Sequence, residues 1–220
     1  MARMKVEVTH VKKVLVLSFA VSMTFTASAS VITFNPATGG TAANGGQTVG
    51  WQFNVLSPLT VTGLEWYDAA GTGLNTAHTV GIWNPAGTLL TSVLIPAGVA
   101  APLDGMFRFV SITSINLPVG NGYIVGGQNF AASTDLMACG SGGPCDGLLV
   151  QTVDPRLTFV NATFSNPGGF TEPTFFSIAH EGFFGPSFSA VVPEPSSMVL
   201  LASGLIGVGS AMRYRKQRTT

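Results

Sequence analysis

The sequence predicts an all-β protein, an antiparallel, jelly-roll-like β-sandwich, from three observations. Short apolar runs that alternate with polar residues recur between residues 49 and 178, and this period is typical of half-buried strands. Glycine and proline, which account for 27 and 13 of the 220 residues, separate the runs and favour turns. No apolar stripe of helical spacing interrupts them. We therefore expect about eight to ten short strands in two packed sheets.

The strongest strand signal lies in residues 49–55, where apolar and polar residues alternate without a break. The next strand, residues 59–67, changes phase at Gly63. A β-bulge there would keep the apolar residues of this strand on one face. It would turn Trp66 inward and Tyr67 outward.

A hairpin is predicted next, with strands at residues 78–83 and 88–95. The intervening Asn84-Pro85-Ala86-Gly87 has proline at the position that tight turns prefer. Residues 183–192 are either a last strand or a linker. The other predicted strands are residues 105–112, 115–117, 122–130, 148–153, 157–164 and 175–178.

The beginning of the chain has the composition of a secretory signal peptide. An apolar run at residues 14–25 is followed by the small residues Ala27 and Ala29 at the spacing of a cleavage site. We therefore predict a signal peptide at residues 1–29, cut after Ala29, with an uncleaved anchor as the alternative. The basic residues that precede the apolar run are Arg3, Lys5, Lys12 and Lys13.

The other end has an extended break, an apolar run and a basic terminus. Pro193 and Pro195 flank Glu194 and disfavour helix. The uncharged residues 196–212 amount to about 17 residues, or roughly 25 Å of helix, which is the short limit for crossing a bilayer. This pattern predicts a short transmembrane helix with its basic end in the cytoplasm; a buried globular helix is the alternative. The basic residues are Arg213, Arg215, Lys216 and Arg218.

In this order, the Pro-Glu-Pro triplet, the apolar run and the basic end resemble a PEP-CTERM sorting signal. The resemblance implies that residues 191–220 are recognised and processed by an exosortase after export through the secretion machinery. It also implies a cell-surface or extracellular product that the tail anchors in the membrane only transiently. Residues 30–190 are then the exported domain, which is long enough for one core.

The exported domain is acidic once the two targeting segments are set aside. Arg108 and Arg156 are its only Lys or Arg residues, against eight Asp and Glu. Such a surface lacks the clustered cations that nucleic-acid binding needs, so we expect no nucleic-acid partner.

A second resemblance covers residues 59–130. Trp66-Tyr67-Asp68 at a strand end, the strand at residues 78–83 and the later turn at residues 117–123 follow one another as in small β-sandwich modules of bacterial surface and extracellular proteins. These modules have no catalytic residues in this pattern, so the resemblance supports the fold and leaves function open.

Few residues indicate chemistry. Cys139 and Cys145 in an exported chain predict a small-loop disulfide, with free thiols or a zinc site as alternatives. No G-x-S-x-G turn occurs, and His78 is expected to be a satisfied or edge histidine. A hydrolase would need Glu65, Asp68 and Glu181 to meet, so no enzymatic activity is expected.

The candidate ligand-binding residues are Tyr67, Asp68 and Asn75. Asp68 and Asn75, with glycines between them, resemble part of a calcium loop, although the spacing is incomplete. No metal site or cofactor is otherwise expected. Tyr67 would be an exposed ring on which a sugar could stack, so the sequence predicts a non-enzymatic surface or polysaccharide-matrix protein, with a carbohydrate-binding module as the alternative. The other aromatic candidates are Trp51, Trp66, Trp83 and Tyr123.

Overall fold

A computed structural model describes residues 27–35, 41–42, 46–68, 70–129, 134–139, 150–177, 183–192 and 204. Its strands pair antiparallel throughout these residues. The all-β antiparallel prediction is confirmed. Among the described residues, no helix has both the length and the apolar character needed to cross a membrane.

Two larger sheets form the sandwich. The first has the order β1-β16-β5-β9-β8, and the second has the order β14-β13-β4-β10-β6-β7. The strands of the first sheet are β1 (Ala27–Ser30), β5 (Leu59–Tyr67), β8 (Leu103–Asp104), β9 (Phe107–Leu117) and β16 (Pro186–Val192). Those of the second are β4 (Thr48–Val55), β6 (His78–Trp83), β7 (Leu89–Ile95), β10 (Gly120–Gln128), β13 (Leu157–Phe164) and β14 (Phe175–Ser177).

Two small sheets cover parts of the sandwich. One has the order β15-β11-β3 and the other pairs β12 with β2. Their strands are β2 (Ile32–Asn35), β3 (Thr41–Ala42), β11 (Leu136–Cys139), β12 (Val150–Val153) and β15 (Phe183–Phe184).

The pairing of eight of these strands, with β8, β13 and β14 as additions at the sheet edges, is that of a long hairpin folded over on itself. In chain order, the eight strands are β1, β4, β5, β6, β7, β9, β10 and β16. The first, β1, pairs with the eighth, β16, and the second, β4, pairs with the seventh, β10. The third, β5, pairs with the sixth, β9, and the fourth, β6, pairs with the fifth, β7. Nested pairing of this kind gives two four-stranded sheets and is the arrangement of a jelly roll.

Aromatic side chains fill the space between the sheets. Trp51 and Phe53 point from β4 toward Phe188 of β16, with ring centroids 6.0 Å and 5.2 Å from it, and all three are 0% exposed. Rings of this size bury the most apolar surface per residue and dominate such a core. The alternation predicted for residues 49–55 is therefore the inward face of a central strand.

The predicted bulge in β5 is present. The register of β5 shifts between Val61 and Gly63 against both of its neighbours. An added Cβ on Gly63 would approach the Ser189 Oγ to 2.6 Å and the Val110 carbonyl oxygen to 3.2 Å, so glycine suits this closely packed position.

Most predicted strands occur within two or three residues of their expected bounds, and those at residues 59–67, 78–83 and 157–164 coincide with them. The predicted hairpin is formed by β6 and β7. Its turn is closed by Gly87 N–H donating to the Asn84 carbonyl at 2.9 Å, with Gly87 at φ 78°. Residues 105–117, expected as two strands, contain one long strand, β9.

The sandwich has two ends that differ in what they hold. We call one the exit end, because β16 finishes there at Val192; it also holds the loops at residues 56–58, 84–88, 118–119 and 154–156. The opposite end, which we call the cleft end, holds the loops at residues 68–77 and 96–102. The assignment follows from the registers, in which Ala190 lies opposite Val61 and Gly120 opposite Val55.

Candidate functional site

A cleft of about 200 Å³ opens at the cleft end of the sandwich. Its walls come from the end of β5, the loop that follows it and the start of β11. The lining residues are Tyr67, Asp68, Ala70, Thr72, Gly73, Leu74, Asn75, Thr134, Asp135 and Leu136. Tyr67, Asp68 and Asn75, which the sequence singles out, therefore do meet at one place.

Arg108 of β9 shapes one wall of the cleft. Its Nε donates to Asp68 Oδ2 at 2.8 Å, and its Nη2 and Nη1 donate to the carbonyls of Gly71 and Ala101 at 2.7 Å and 3.1 Å. Asp68 Oδ2 also accepts the Gly73 N–H at 2.9 Å. Both side chains of the pair are under 10% exposed, and a planar guanidinium suits such a buried, multiply bonded position.

This geometry argues against calcium in the loop. A calcium ion needs several free oxygen ligands, but Asp68 Oδ2 and the Gly71 carbonyl already bind Arg108. The guanidinium therefore occupies two of the oxygen atoms that a calcium ion in this loop would need. The loop is thus folded around the Arg108 guanidinium.

Asp135 forms the opposite wall and holds the end of the same loop. Its carboxylate accepts the backbone N–H groups of Asn75 and Thr76 at 2.6 Å and 2.9 Å, and the Thr76 hydroxyl at 3.1 Å. The Asn75 Nδ2 also donates to it at 3.1 Å. Burial acts to raise the pKa of Asp135, but these hydrogen bonds and that from His78 lower it overall.

His78 lies beneath Asp135 and is fully buried. Its Nε2 is 2.9 Å from Asp135 Oδ2, its Nδ1 is 2.9 Å from the Gln128 carbonyl, and Trp66 stacks on the ring at 3.6 Å. Burial lowers the pKa of His78, although Gln128 and Asp135 oppose the shift. The ring has no open face toward the cleft, so His78 supports Asp135 from within the core.

The expectation of an exposed Tyr67 ring is wrong. Tyr67 does point away from Trp66, but it is only 1% exposed. β2 covers this face, and the ring packs edge-on against Phe34 and Phe107 at 5.8 Å and 5.7 Å. The alternation of β5 correctly separates the two faces, but it cannot show that a further strand lies over the outer one.

The other aromatic candidates are also in the core, since Trp51, Trp66, Trp83 and Tyr123 are each 5% exposed or less. Exposed rings occur instead at Phe175 and Phe176 in β14, at 44% and 50%. Asn75 is the member of the predicted ligand set that is exposed, and Thr72, Thr134 and Leu136 are exposed beside it.

Two residues that organise the cleft were not anticipated. Arg108 stands in an apolar strand between Phe107 and Phe109, and a lone cation in such a run is itself a signal that a buried acid lies nearby. Asp135 has no such signal, because its partners are about 60 residues away along the chain.

A third buried acid, Glu65, lies on the covered face of β5 and has no cationic partner among the described residues. Glu65 is 0% exposed. Burial raises the pKa of Glu65 to about 8, an effect that nearby Asp104 reinforces and the Ser30 and Ser189 hydroxyls reduce. The group is therefore protonated near neutral pH. Glu181, the distant acid of the hydrolase hypothesis, lies outside the described residues.

The residues predicted to take part in processing lie either at the edge of the first sheet or outside the described residues. Ala27 and Ala29 lie in β1, opposite Val192 and Ala190 of β16. The Pro-Glu-Pro triplet, the basic terminus and the predicted transmembrane helix, apart from Gly204, lie outside the described residues. The same holds for Cys145, so the predicted disulfide with Cys139 of β11 stays a prediction.

Fold and termini together define a class of protein, a β-sandwich whose last strand leads directly into a C-terminal targeting segment. Residues 191–216 match the family model described as the PEP-CTERM protein-sorting motif. The motif begins at Val191, within β16. Neither a curated protein nor a solved structure matches the chain. The resemblance to a sorting signal is confirmed, and the motif implies an exported protein that an exosortase recognises.

Proposed function

We propose that the protein is a non-enzymatic component of the cell surface or of the extracellular polysaccharide matrix, whose exported part folds as a β-sandwich and is released through processing of its C-terminal tail. One observation above all supports this proposal: the sorting motif starts inside the last strand of the sandwich. The folded part and the tail are thus consecutive, with no further domain between them. The tail then determines where the whole sandwich is delivered.

The cleft is consistent with a binding or structural role. Its most polar groups, the Asp68 and Asp135 carboxylates, are hydrogen-bonded to Arg108 and to the loop itself. Groups bound in this way hold the loop rigid. They do not provide the free base or nucleophile that catalysis requires.

The proposal is tested by locating the protein in cell fractions and by mapping the C-terminus of the mature chain. Wild-type protein should appear at the cell surface or in the medium, with a C-terminus near the Pro-Glu-Pro triplet when the mature chain is mapped by mass spectrometry. Deletion of residues 193–220 should abolish surface retention.

The matched control is the triple variant Pro193→Ala, Glu194→Ala, Pro195→Ala, which keeps the apolar run and the basic end. It should remain uncleaved in the membrane fraction. A wild-type protein that keeps Thr220 in every fraction would contradict the proposal.

The second candidate function is carbohydrate binding at the cleft. It is favoured by the exposed residues Asn75, Thr72 and Thr134, whose side chains are of the polar kind suited to sugar hydroxyls. At about 200 Å³ the cleft is smaller than the 300–1,000 Å³ usual for drug-sized ligands. We therefore expect it to hold no more than the end of a glycan chain.

Retention on extracellular polysaccharide tests this candidate. Asn75→Ala should lower retention at least tenfold, whereas Asn121→Ala, at an exposed asparagine of the exit end, should not change it. Equal retention of both variants would remove the cleft from consideration.

A further inference from the structure

We infer that the exit end of the sandwich lies on the surface of a phospholipid bilayer while the tail is attached, with the cleft directed away from the membrane. The inference rests on the proposed function, because it takes the tail to be a membrane tether before processing. It adds a contact surface on the folded domain itself. That surface consists of the loop at residues 56–58, the turn at residues 118–119 and the end of β16.

These segments are brought together by strand pairing. Val55 lies opposite both Gly120 of β10 and Leu157 of β13, which places the segments before and after them at one end of the second sheet. In the first sheet, Leu59 lies opposite Leu117. Leu56 N–H donates to the Arg156 carbonyl at 2.7 Å, and Arg156 Nη1 donates to the Val191 carbonyl at 2.9 Å. The loops and the exit point are therefore linked directly.

Apolar side chains are exposed on this surface. Leu56 is 54% exposed, Val119 is 61% exposed and Val192, the last residue of β16, is 37% exposed. Aliphatic side chains at loop tips gain free energy when they enter the headgroup and acyl boundary of a bilayer. The neighbouring Arg156 and Asp154 pair with each other, which reduces the cost of bringing them close to the membrane.

The length of the tether decides which end approaches the lipid. Val192 and Ser196, where the uncharged run begins, are four residues apart, and four residues span at most about 14 Å. The headgroup region takes up roughly 6 Å of that length. The nine residues of β5 extend about 30 Å from one end of the sandwich to the other, so only the exit end stays within reach of the bilayer.

Exposure alone would not choose between the two ends. At the cleft end, Val99 is 64% exposed and Leu103 and Leu136 are 41% and 45% exposed. The position of the chain exit makes the choice. Glu172, an acid of the exit end, lies beside Gly87 of the turn between β6 and β7.

The test uses the full chain inserted in phospholipid nanodiscs that contain a lipid with a photoreactive diazirine in its headgroup region. After irradiation, mass spectrometry should find lipid adducts on peptides with residues 56–58 and 118–119 at least fivefold above those on the peptide with residues 97–99. The double variant Leu56→Asp, Val119→Asp should lose this labelling. Val99→Asp, equally exposed at the other end, should leave it unchanged.

Labelling of the tail peptide shows whether a negative result concerns the orientation of the sandwich or the membrane tether itself. Adducts on residues 196–212 with equal or no labelling of the two ends would overturn the orientation and leave the tethered protein intact. Absence of adducts on the tail would overturn the tether, and with it both the proposed function and the orientation. Circular dichroism of the variants shows whether each one keeps its fold.

Discussion

The two ends of the sandwich each use one of the two arginines of the exported domain, and they use them differently. At the cleft end, Arg108 and Asp68 are 7% and 5% exposed, and the guanidinium also binds two backbone carbonyls. At the exit end, Arg156 and Asp154 are 18% and 17% exposed, and the guanidinium binds one carbonyl, that of Val191. The first pair builds a loop, whereas the second holds the last strand where it leaves the fold.

The largest effect should come from breaking the buried pair. Arg108→Ala leaves the Asp68 carboxylate buried without its cation, and such a loss costs about 3–5 kcal/mol. Arg156→Ala removes a partly solvated pair and should cost about 1 kcal/mol or less after screening by solvent. Urea unfolding followed by tryptophan fluorescence measures both. Equal losses in the two variants would show that burial does not distinguish the two ends.

Glu65 extends this contrast, because it is as buried as Asp68 but has no arginine partner among the described residues. Because the pKa of Glu65 is raised to about 8, the folded state retains a proton that the unfolded chain releases above its ordinary value of 4.5. This contribution to stability is complete below pH 4.5 and is lost as the pH rises to 8. His78, whose pKa is lowered, acts in the opposite direction, because stability falls as the unfolded chain protonates its histidine below pH 6.5.

Between pH 6.5 and 8, the contribution of Glu65 to the pH dependence of stability is therefore separated from that of His78. We expect the free energy of unfolding to fall by roughly 2 kcal/mol across this pH window in the wild type. In Glu65→Gln the fall should disappear, while Glu172→Gln, at a partly exposed acid, should keep it. A wild-type protein whose stability rises across this window would refute a protonated Glu65.

The smallest effect concerns β1 at the edge of the first sheet. The predicted cleavage after Ala29 would leave only Ser30 of this strand. A chain that starts at Ser30 should be less stable than one that starts at Ala27 by roughly 1–2 kcal/mol, the contribution of a few edge hydrogen bonds. Thermal melts of the two chains measure the difference. A much larger loss would mean that β1 is an essential part of the sandwich.

The sequence predicted the β class, most long strands and the bulge at Gly63, because these depend on local alternation and on the steric needs of glycine. It also identified the sorting signal, whose features are contiguous. The edge strand β1, by contrast, lies in a stretch whose composition also fits a signal peptide, and its pairing with β16 is remote in sequence.

The candidate site was predicted less well, for the same reason. Asp68 and Asn75 were found because they share a loop, but their partners Arg108 and Asp135 come from other elements. The burial of Tyr67 depends on Phe34 and Phe107, which the alternation within β5 cannot reveal. Composition and period describe one strand at a time, whereas the cleft is made by contacts between strands.

The pairing of β1 with β16 also has a kinetic consequence. Ser30 and Ser189 lie opposite each other although they are about 160 residues apart, and contacts of such long range form slowly. A chain exported from its N-terminus cannot close this edge of the sheet until the residues next to the sorting motif have crossed the membrane. Completion of the sandwich is thus a late event, which coincides with the arrival of the segment that the processing enzyme recognises.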